Sequence, residues 1–527
     1  MKRLTFLSAA ILLANVLNAT VFYIVPGGAG NKTGVDWENA ADLSTTTLAL
    51  GNNGDEFWVK AGTYQPTDFK YANRKLYGGF AGAETTLMQR DWVKNQTVIQ
   101  GIDNATLPLV IMQASTVPNV LDGFIIQDNH ITENGQNGGG VNMNGNSVLR
   151  NCIIRNNSSF SNANVGGGVF IGNITNATPL IENCLVINNA TKNNGGGIQV
   201  ANNMALNIKN STVANNMITK ETSEAGSGFG CGIGLPVNAV MVAENCIVYN
   251  NQKPDGQGTL TFSFGANHNT NNNALSTVKN CAYDAINAGT GTQGGVVFTS
   301  KTACIDDLST TKTPGFTLST TFAGNSTSDD ERQQIINADY RLTEGSVCID
   351  TGGDAAASGI TNDLANINRS FGNAVDIGAY EYAIDLVISE NASCNASEYT
   401  SFCNNIVFNA GSQLTDATNM VVKGKVRIVK TFEAGKWYPI GFPFAIESIS
   451  IKQGENVYEG HIYGLDNDAE VVENPTNQSE ATIENIYLAT YDSDADKFKF
   501  TDALAANTGY VIAVPEGAFD VESTDDG

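Results

Sequence analysis

The chain has 527 residues, of which 42% are hydrophobic and 16% charged, so it exceeds one compact domain and can bury a large core. Its formal net charge of −24 argues against nucleic acid and anionic lipid as partners, because both are bound by basic patches. The 54 Gly and 12 Pro favour many short strands joined by glycine turns, since proline removes a donor from a strand ladder.

Residues 1–19 are predicted to be a signal peptide. Lys2 and Arg3 supply the positive charge, residues 4–17 form the apolar stretch, and Ala19 is a small residue suited to cleavage. No later segment approaches the roughly 18 apolar residues of a transmembrane helix. We therefore expect a protein without a direct transmembrane span that is secreted, to the extracellular space or the outer-membrane surface of a Gram-negative bacterium.

Residues 20–101 contain three of the four tryptophans, Trp37, Trp58 and Trp92. We expect these side chains in the core of a cap, with stacking on a sugar as the alternative. This region resembles the N-terminal start of exported surface proteins of Bacteroidetes type, which implies a cap and the first coils of a β-helix. The resemblance rests on residues 22–25, 33–40, 54–64, 77–82 and 89–92.

Residues 102–337 contain an internal repeat. Six similar segments begin at positions 121, 149, 181, 208, 243 and 278, which gives steps of 28, 32, 27, 35 and 35 residues. One helical coil per repeat suits these steps, with loops absorbing the differences. A coil cannot bury its inner face alone, so neighbouring coils must stack on it.

Alternate positions of the aligned segments are uniform, and we expect those side chains to point into the coil. The first inward column is Phe124, Cys152, Cys184, Ser211, Cys246 and Cys281. The second is Ile126, Ile154, Val186, Val213, Val248 and Tyr283. The third is Asp128, Asn156, Asn188, Asn215, Asn250 and Ala285. The mixed column, expected to face outward, is Gln127, Arg155, Ile187, Ala214, Tyr249 and Asp284.

Coils stack about 4.8 Å apart, a spacing at which identical amides can bond up the stack. We therefore expect the third column to form an inward asparagine ladder, with Asn also suiting left-handed turns. The same spacing exceeds the roughly 3.8 Å between the Cβ atoms of a disulfide. The stacked cysteines are thus predicted to be free thiols that act as small buried apolar groups.

Each coil also carries a glycine cluster, which predicts a tight corner leading into a further strand. Three clusters read GGG, at 138–140, 166–168 and 195–197, and 228–232 is a degraded copy. Paired with the NC-x-x-x-NN strands, they resemble the repeats of chlamydial-type polymorphic outer-membrane proteins. The predicted fold is all-β: a right-handed, single-stranded, pectate-lyase-like parallel β-helix, followed by a C-terminal β-sandwich domain.

The next segments close the β-helix. Residues 290–335 have weak periodicity and predict irregular coils or a loop. Residues 338–383 resemble the choice-of-anchor Q region, which ends β-helices on many bacterial surface proteins. The resemblance is carried by IDTG (349–352), Arg369 and VDIGAYE (375–381). We expect Arg369 to bind a nearby aspartate, among Asp350, Asp363 and Asp376, for a structural purpose.

Residues 384–417 are predicted to be a linker and 418–527 a β-sandwich module, because glycine clusters give way to aromatic strands. The module resembles one that recurs at the C-terminus of exported Bacteroidetes proteins. It ends without a recognisable sorting signal, which leaves truncation or an unfamiliar anchor as alternatives. Cys394 and Cys403 are the expected disulfide pair.

The sequence predicts no catalytic, cofactor-binding or metal-binding residue. His130, His268 and His461 lie far apart and are expected in loops or at the surface. The Asp329-Asp330 pair lies in a loop-like stretch without the partner motifs of polygalacturonases. Residues 492–496 begin like a calcium loop, but the later Gly and Glu are missing, so a charged hairpin turn is preferred over structural calcium.

Two functions remain open. The first is a secreted or cell-surface interaction protein, an adhesin or a structural component, that binds a host or bacterial surface protein or glycan through the mixed column and the loops. The second is a polysaccharide lyase or glycoside hydrolase that acts on an acidic polysaccharide. An enzyme would need a base and a cation clustered in a groove along one sheet.

Overall fold

The computed structural model describes residues 19–161, 163–172, 178–220, 228–254, 259–261, 264–266, 276–284, 298–309, 311–353, 361–369, 374–383, 386–395, 402–403, 405–415 and the strands named below between 421 and 523. The chain divides into two compact units. Unit 1 comprises Met1–Cys348, Leu364–Asn366 and Ile377–Tyr380, and unit 2 comprises Ile349–Asp363, Ile367–Asp376 and Glu381–Gly527. The predicted signal peptide lies almost entirely outside the described residues.

Unit 1 is a parallel β-helix, and most coils place one strand in each of several long sheets. Sheet 1 has ten strands: Val21–Ile24, Glu56–Lys60, Lys75–Phe80, Asn119–Asp122, Ser147–Arg150, Leu180–Glu182, Ala205–Lys209, Val240–Glu244, Thr277–Lys279 and Ser300–Thr302. Sheet 2 has eight: Gly62–Tyr64, Thr97–Gln100, Phe124–Gln127, Ile153–Arg155, Leu185–Ile187, Thr212–Ala214, Ile247–Tyr249 and Ala282–Tyr283. The prediction of a parallel β-helix is confirmed.

Two shorter sheets complete the coils. Sheet 3 has seven strands: Lys70–Tyr71, Val110–Met112, Val141–Met143, Val169–Ile171, Ile198–Val200, Ile233–Leu235 and Phe264–Ala266. Sheet 4 has six: His130–Ile131, Ser158–Ser159, Ala190–Thr191, Met217–Ile218, Gln252–Pro254 and Thr259–Thr261. The last two strands of sheet 4 run antiparallel, whereas its other neighbours are parallel.

The second predicted column sets the register of sheet 2. Each member is the direct partner of the next, in the order Ile126, Ile154, Val186, Val213, Val248 and Tyr283. All six side chains are fully buried. They join one continuous apolar core with the inward residues of sheets 1 and 3. The alignment of the repeats therefore predicted the register correctly.

The first predicted column is also inside, and its cysteines form no disulfide with one another. Cys152, Cys184, Cys246 and Cys281 are fully buried free thiols. The Sγ atom of Cys184 donates to the carbonyl of Glu182 at 3.2 Å. Burial, and next the neighbouring Cys152, raise the pKa of Cys184 well above its ordinary value, so this thiol is unreactive. The side chain of Cys403 lies outside the described residues, so the Cys394–Cys403 pairing stays a prediction.

The asparagine ladder lies one residue later than predicted. Asn156, Asn188, Asn215 and Asn250 have φ of 53°, 49°, 53° and 52° and form a left-handed corner after each sheet 2 strand. The inward ladder consists instead of Asn157, Asn189, Asn216 and Asn251. The corner reverses the side on which the next residue points, so strand alternation cannot be extended across it.

Each ladder amide satisfies buried backbone as well as its neighbour. The Nδ2 of Asn189 donates to the carbonyls of Ile154 at 3.0 Å and Ile187 at 2.9 Å and to Oδ1 of Asn216 at 3.0 Å. Its own Oδ1 accepts from the backbone and side chain of Asn157. Carbonyls turned inward at the corner thereby find donors in the buried interior of the coil.

The glycine clusters are corners, as predicted. Gly138, Gly166, Gly195 and Gly230 have positive φ, between 66° and 82°, and each lies three residues before a strand of sheet 3. A short helix, Thr45–Leu48, lies near the N-terminal end of unit 1 and has Ser44 as its N-cap. Leu43 and Leu48 join the core there. A 3₁₀ turn, Leu87–Gln89, follows in the first coils.

Residues 316–342 are more ordered than the predicted loop. Strands Phe316–Leu318 and Asp339–Leu342 pair antiparallel, and helix Asp329–Asn337 lies between them. The prediction of irregular structure over 290–335 is therefore wrong for this helix. Its first turn holds Asp329, Asp330 and Glu331, which favour a helix N-terminus, and Ile335 is buried.

Unit 2 begins with short parallel strands. Leu386–Ile388, Ile406–Phe408 and Val426–Phe432 form a parallel ladder, and Ser393–Asn395 pairs with Gln413–Thr415. Phe402–Cys403 pairs with Val421–Val422. The interval 384–417, which was predicted to be a linker, therefore contains strands. Paired residues in neighbouring strands are about 20 positions apart in sequence, as the partners Leu386 and Ile406 show.

The remaining strands of unit 2 are mostly antiparallel, as expected of the predicted β-sandwich. The first ladder continues through Gly517–Ser523, Ile446–Gln453 and Asn456–Glu459. A second sheet contains Tyr438–Phe442, Thr508–Ala513, Asn485–Asp492 and His461–Tyr463, with Lys497–Phe500 paired to Asn485–Asp492. The partners Tyr491 and Phe498 flank the predicted charged hairpin turn, whose residues 493–496 lie outside the described residues.

Candidate functional site

The mixed column, predicted to be the binding surface, is largely covered. Gln127, Ile187, Ala214 and Asp284 are less than a tenth exposed. Tyr340, Leu364 and Ala379 pack on the outer face of sheet 2 in one cluster with Leu185, Ile187 and Ala214. Residues 316–342, 364–366 and 377–380 of unit 1, which we call the returning chain, thus cover part of this face. Distant residues of unit 1 bury Ile187 and Ala214, and Gln127 and Asp284 are buried as well, so these four side chains do not form the exposed binding surface that was predicted.

The returning chain is held by the corner asparagines. Residues 320–326, which we call the strap, run from Asn215 back to Asn156. The Nδ2 of Asn215 donates to the carbonyl of Thr320 at 3.1 Å, and that of Asn188 to the carbonyl of Gly324 at 3.2 Å. Asn156 exchanges two bonds with Ser326, at 2.9 and 2.7 Å. The asparagines that recur at these corners therefore fasten the strap as well as turning the chain.

His130 belongs to the same fastening. It was expected in a loop or at the surface, but it lies in sheet 4 and is 4% exposed. Its Nδ1 is 2.5 Å from Oδ1 of Asp103, and its Nε2 is 2.9 Å from the carbonyl oxygen of Asn156. Asp103 also accepts from Arg332 of helix Asp329–Asn337 at 2.7 Å. Both ring nitrogens of His130 are therefore engaged in hydrogen bonds within unit 1.

The side chains of the other two histidines lie outside the described residues. His268 lies outside the described residues, and His461 lies in a strand whose side chains are not described. Among the described residues, no group of three or more His, Cys, Asp or Glu side chains could hold a metal ion. No helix of the described residues is both long and apolar enough to cross a membrane.

A cleft lies above the outer face of sheet 2. It has a volume of about 350 Å³. Its floor is Gly123, Phe124, Ile125 and Ile153, from the strands of sheet 2 and the turns before them. Asn151, in the turn before Ile153–Arg155, also lines the cleft. The remaining lining residues come from the loop before Thr97 and from the returning chain: Trp92, Val93, Gln96, Ala338, Asp339, Arg341, Leu364, Ala365 and Tyr380.

The walls of this cleft are positioned by long-range contacts. The indole Nε1 of Trp92 donates to the carbonyl of Leu364 at 3.0 Å, although 272 residues separate them. The Arg90 guanidinium lies 5.0 Å from the centre of the Trp92 ring and holds Asp122 at 2.7 Å. Trp92 therefore joins the first coils to the returning chain, and its ring is fixed before any ligand arrives.

The polar groups of the cleft include an ion pair. Arg341 binds both carboxylate oxygens of Asp339, at 2.6 to 3.0 Å, and 57% of its side chain is exposed. Burial raises the pKa of Asp339, but hydrogen bonds from Arg341 outweigh it and leave the pKa below the ordinary value. The cleft thus presents a carboxylate, a guanidinium and the Gln96 amide above an apolar floor.

Trp37 and Trp58 lie in a cluster on the outer face of sheet 1, whereas Trp437 lies outside the described residues. Trp58 and Phe80 stack with ring centres 4.9 Å apart, and Trp37 packs beside them. Trp58 is only 5% exposed, and the Nε1 of Trp37 donates to the carbonyl of Glu84 at 3.0 Å. Trp58 fills this apolar cluster and Trp37 is partly buried against it, which fits the cap interpretation.

Unit 2 contains the buried charges of the segment that resembles the choice-of-anchor Q region. Arg369 is fully buried and binds Glu381 at 3.0 Å, which is a different acid from the three aspartates predicted. Asp363 and Asp376 are buried beside this pair and accept backbone N–H bonds from Glu381 and from Asp350. Carboxylates that cap backbone donors in a closed interior serve structure.

The fold was compared with known protein families, curated proteins and solved structures. No family model matches the chain, and no curated protein matches it. The crystal structure of the pectate lyase Pel9A matches with 14% identity, covering 68% of this chain and 96% of that chain, at a TM-score of 0.34. The fold described here rests on the strand registers. The resemblances to polymorphic outer-membrane proteins, Bacteroidetes surface proteins and the choice-of-anchor Q region stay predictions.

Proposed function

We propose that this chain is a secreted or cell-surface β-helix interaction protein that binds a glycan in the cleft beside Trp92. The observation that carries the proposal is the cleft itself: the returning chain covers the outer face of sheet 2 yet leaves an opening of about 350 Å³ there. That volume lies within the range of small-ligand sites, roughly 300–1,000 Å³.

The lining suits a sugar ring. Ile125 and Ile153 offer an apolar floor for the C–H face of the ring, and Trp92 and Tyr380 add aromatic surface at the sides. Gln96, Asp339 and Arg341 supply donors and acceptors for hydroxyl groups, and Arg341 also suits a carboxylate. The walls are pre-positioned, so binding requires little reorganisation.

A panel of neutral and acidic oligosaccharides tests this proposal by isothermal titration calorimetry on the full chain. We expect binding of at least one oligosaccharide, weakened at least tenfold by Arg341→Ala and by Gln96→Ala. Lys312→Ala is the control, because Lys312 is exposed and pairs with Asp307 outside the cleft. Binding that survives both cleft variants, or no binding across the panel, would overturn the proposal.

A second candidate function is cleavage of an acidic polysaccharide in the same cleft by a lyase or glycoside hydrolase. The Asp339–Arg341 pair favours it, because a lyase needs a base together with a cation that neutralises the uronate. The full chain would be incubated with uronate polymers and followed for unsaturated products and new reducing ends. Product that disappears in Asp339→Asn supports this function, whereas binding without product supports the glycan-binding one.

A further inference from the structure

The outer face of sheet 1 carries a regular row of alternating charges, which we call the charge row. Its members are direct partners in neighbouring strands: Asp122, Arg150, Glu182, Lys209, Glu244 and Lys279. Acid and base alternate along the row. Asp122 and Glu182 are only 2% and 3% exposed, whereas the other four members are at least partly exposed. Arg150 binds Glu182 at 3.0 Å, and Lys279 binds Glu244 at 2.8 Å.

A second row runs beside it, two residues earlier on each strand. It contains Val120, Val148, Leu180, Asn207, Val242 and Thr277. This row is largely apolar and only partly covered, and Val242 is 40% exposed. The returning chain packs on sheet 2 and leaves these residues without comparable cover. Sheet 1 therefore presents an apolar strip flanked by a charged one.

The order of charges makes this face complementary to itself. A two-fold axis parallel to the strands, between Leu180–Glu182 and Ala205–Lys209, reverses the order of the coils in a second copy. Glu182 then faces Lys209 of the second copy, and Arg150 faces Glu244 of the second copy. On the adjacent row, Val148 faces Val242 of the second copy. Leu180 faces Asn207 of the second copy, so the complementarity rests on the Arg150–Glu244 and Val148–Val242 contacts, each of which the two-fold axis repeats.

We propose that two copies of this chain associate face to face through sheet 1 in this register. Such a two-fold contact uses the same surface on both copies. A shift by one coil would place like charges opposite each other, so the charge row also fixes the register. A uniformly charged polymer would meet as many like charges as opposite ones along the row, which makes a second copy the better occupant.

The size of the face sets the strength of the contact. Six strands that lie about 4.8 Å apart and are about 15 Å long give a contact area of roughly 430 Å² per copy. Stable complexes bury about 800 Å² per partner, so the dimer is expected to be weak and to depend on concentration. The net charge of −24 opposes association at low ionic strength, and about 0.15 M salt screens that long-range repulsion.

Sedimentation of the full chain between about 1 and 100 μM in 0.15 M salt tests the proposal. We expect the wild type to show a monomer–dimer equilibrium, and we expect Arg150→Glu and Glu244→Lys each to be monomeric. An equimolar mixture of those two variants should dimerise again, because each mutated position then meets its opposite. Lys312→Glu, which makes the same charge change away from sheet 1, should dimerise like the wild type.

The mixing step separates the interface from a folding defect. Circular dichroism and thermal unfolding would establish that both variants are folded. A wild type that remains monomeric at 100 μM would overturn the proposal. So would a dimer that tolerates Arg150→Glu, or folded variants whose mixture stays monomeric.

Discussion

The side-chain amide of Asn189 lies against the backbone of Gly168, so closely that a Cβ atom on Gly168 would stand 2.9 Å from Nδ2. The same spacing separates Gly140 from Asn157 and Gly197 from Asn216. The third glycine of each GGG cluster therefore makes room for the ladder asparagine of the next coil. The GGG cluster and the asparagine pair of the repeat are therefore in direct contact between neighbouring coils.

Gly168→Ala is expected to destabilise unit 1 by about 2 kcal/mol, because the added methyl would contact both Asn189 and the Gly197 carbonyl. Asn189→Ala is expected to cost about 3 kcal/mol, since it leaves buried carbonyls without donors. Urea unfolding of both single variants and of the double variant measures their coupling. The double variant should cost less than the sum.

Asn52→Ala is the matched control for this cycle, because Asn52 is exposed and lies outside the ladder. It should change the free energy of unfolding by less than about 0.5 kcal/mol. Strictly additive effects of Gly168→Ala and Asn189→Ala would contradict a direct contact between the two side chains.

The stacked thiols are expected to resist alkylation in the folded protein. Cys184 and Cys281 are fully buried, and burial is the main cause of their raised pKa. Iodoacetamide at pH 8, followed by peptide mass spectrometry, should modify them only after urea is added. Ser300→Cys, on the exposed last strand of sheet 1, provides a thiol that should react at once. A Cys152–Cys184 disulfide peptide would contradict the expected result.

The acid cluster of unit 2 is expected to weaken as the pH rises. Burial is the largest cause that raises the pKa of Asp376 to about 7 and that of Glu381 to about 9. An acid whose pKa is raised on folding stabilises the protein below its ordinary pKa and loses that contribution as the pH passes the folded value. Hydrogen exchange of residues 374–383 should therefore accelerate between pH 5 and about 9 beyond its intrinsic pH dependence.

Glu381→Gln should reduce that acceleration, because the amide keeps an acceptor for Arg369 and Asp376 without a titrating proton. The control is Glu344→Gln, which changes an exposed side chain. Equal pH profiles for the wild type and Glu381→Gln would show that Glu381 does not control this region.

The fastening of helix Asp329–Asn337 is expected to weaken in acid. Burial raises the pKa of Asp103, but bonds and charges from His130 and Arg332 outweigh it, and the net shift is downward. A lowered carboxylate pKa contributes stability above the ordinary pKa and loses it as the pH falls through the folded value. Asp103→Asn should therefore speed hydrogen exchange in residues 329–337 at pH 7, and Asp307→Asn should not.

The alignment of repeats was sufficient to predict the register of sheet 2, because every coil repeats the same alternation around Ile154 and Val186. It misplaced the asparagine ladder by one residue, because the left-handed Asn156 interrupts that alternation. The cover over sheet 2 had no local pattern, since Trp92 and Leu364 meet across 272 residues. The acidic start at 329–331 was a readable helix signal that the loop interpretation overlooked.

The candidate site was beyond the reach of the sequence for the same reason. The cleft exists only where Trp92, Ile153 and Tyr380 come together, and no periodicity connects these residues. The charge row, by contrast, could have been read from the aligned segments. Arg150, Glu182, Lys209, Glu244 and Lys279 occupy one position of the repeat, two residues before the cysteine column.

The strap has a consequence for how such a chain can evolve. Most solenoids lengthen or shorten by gain or loss of whole repeats, because each repeat touches only its neighbours. Here Thr320, Gly324 and Ser326 meet the corners of three successive coils in fixed order. If a coil were added or deleted between Asn156 and Asn215, the strap residues would no longer lie opposite their corner asparagines. The strap therefore fixes the number of coils between Asn156 and Asn215. Gain or loss of repeats should be confined to coils that the strap does not contact.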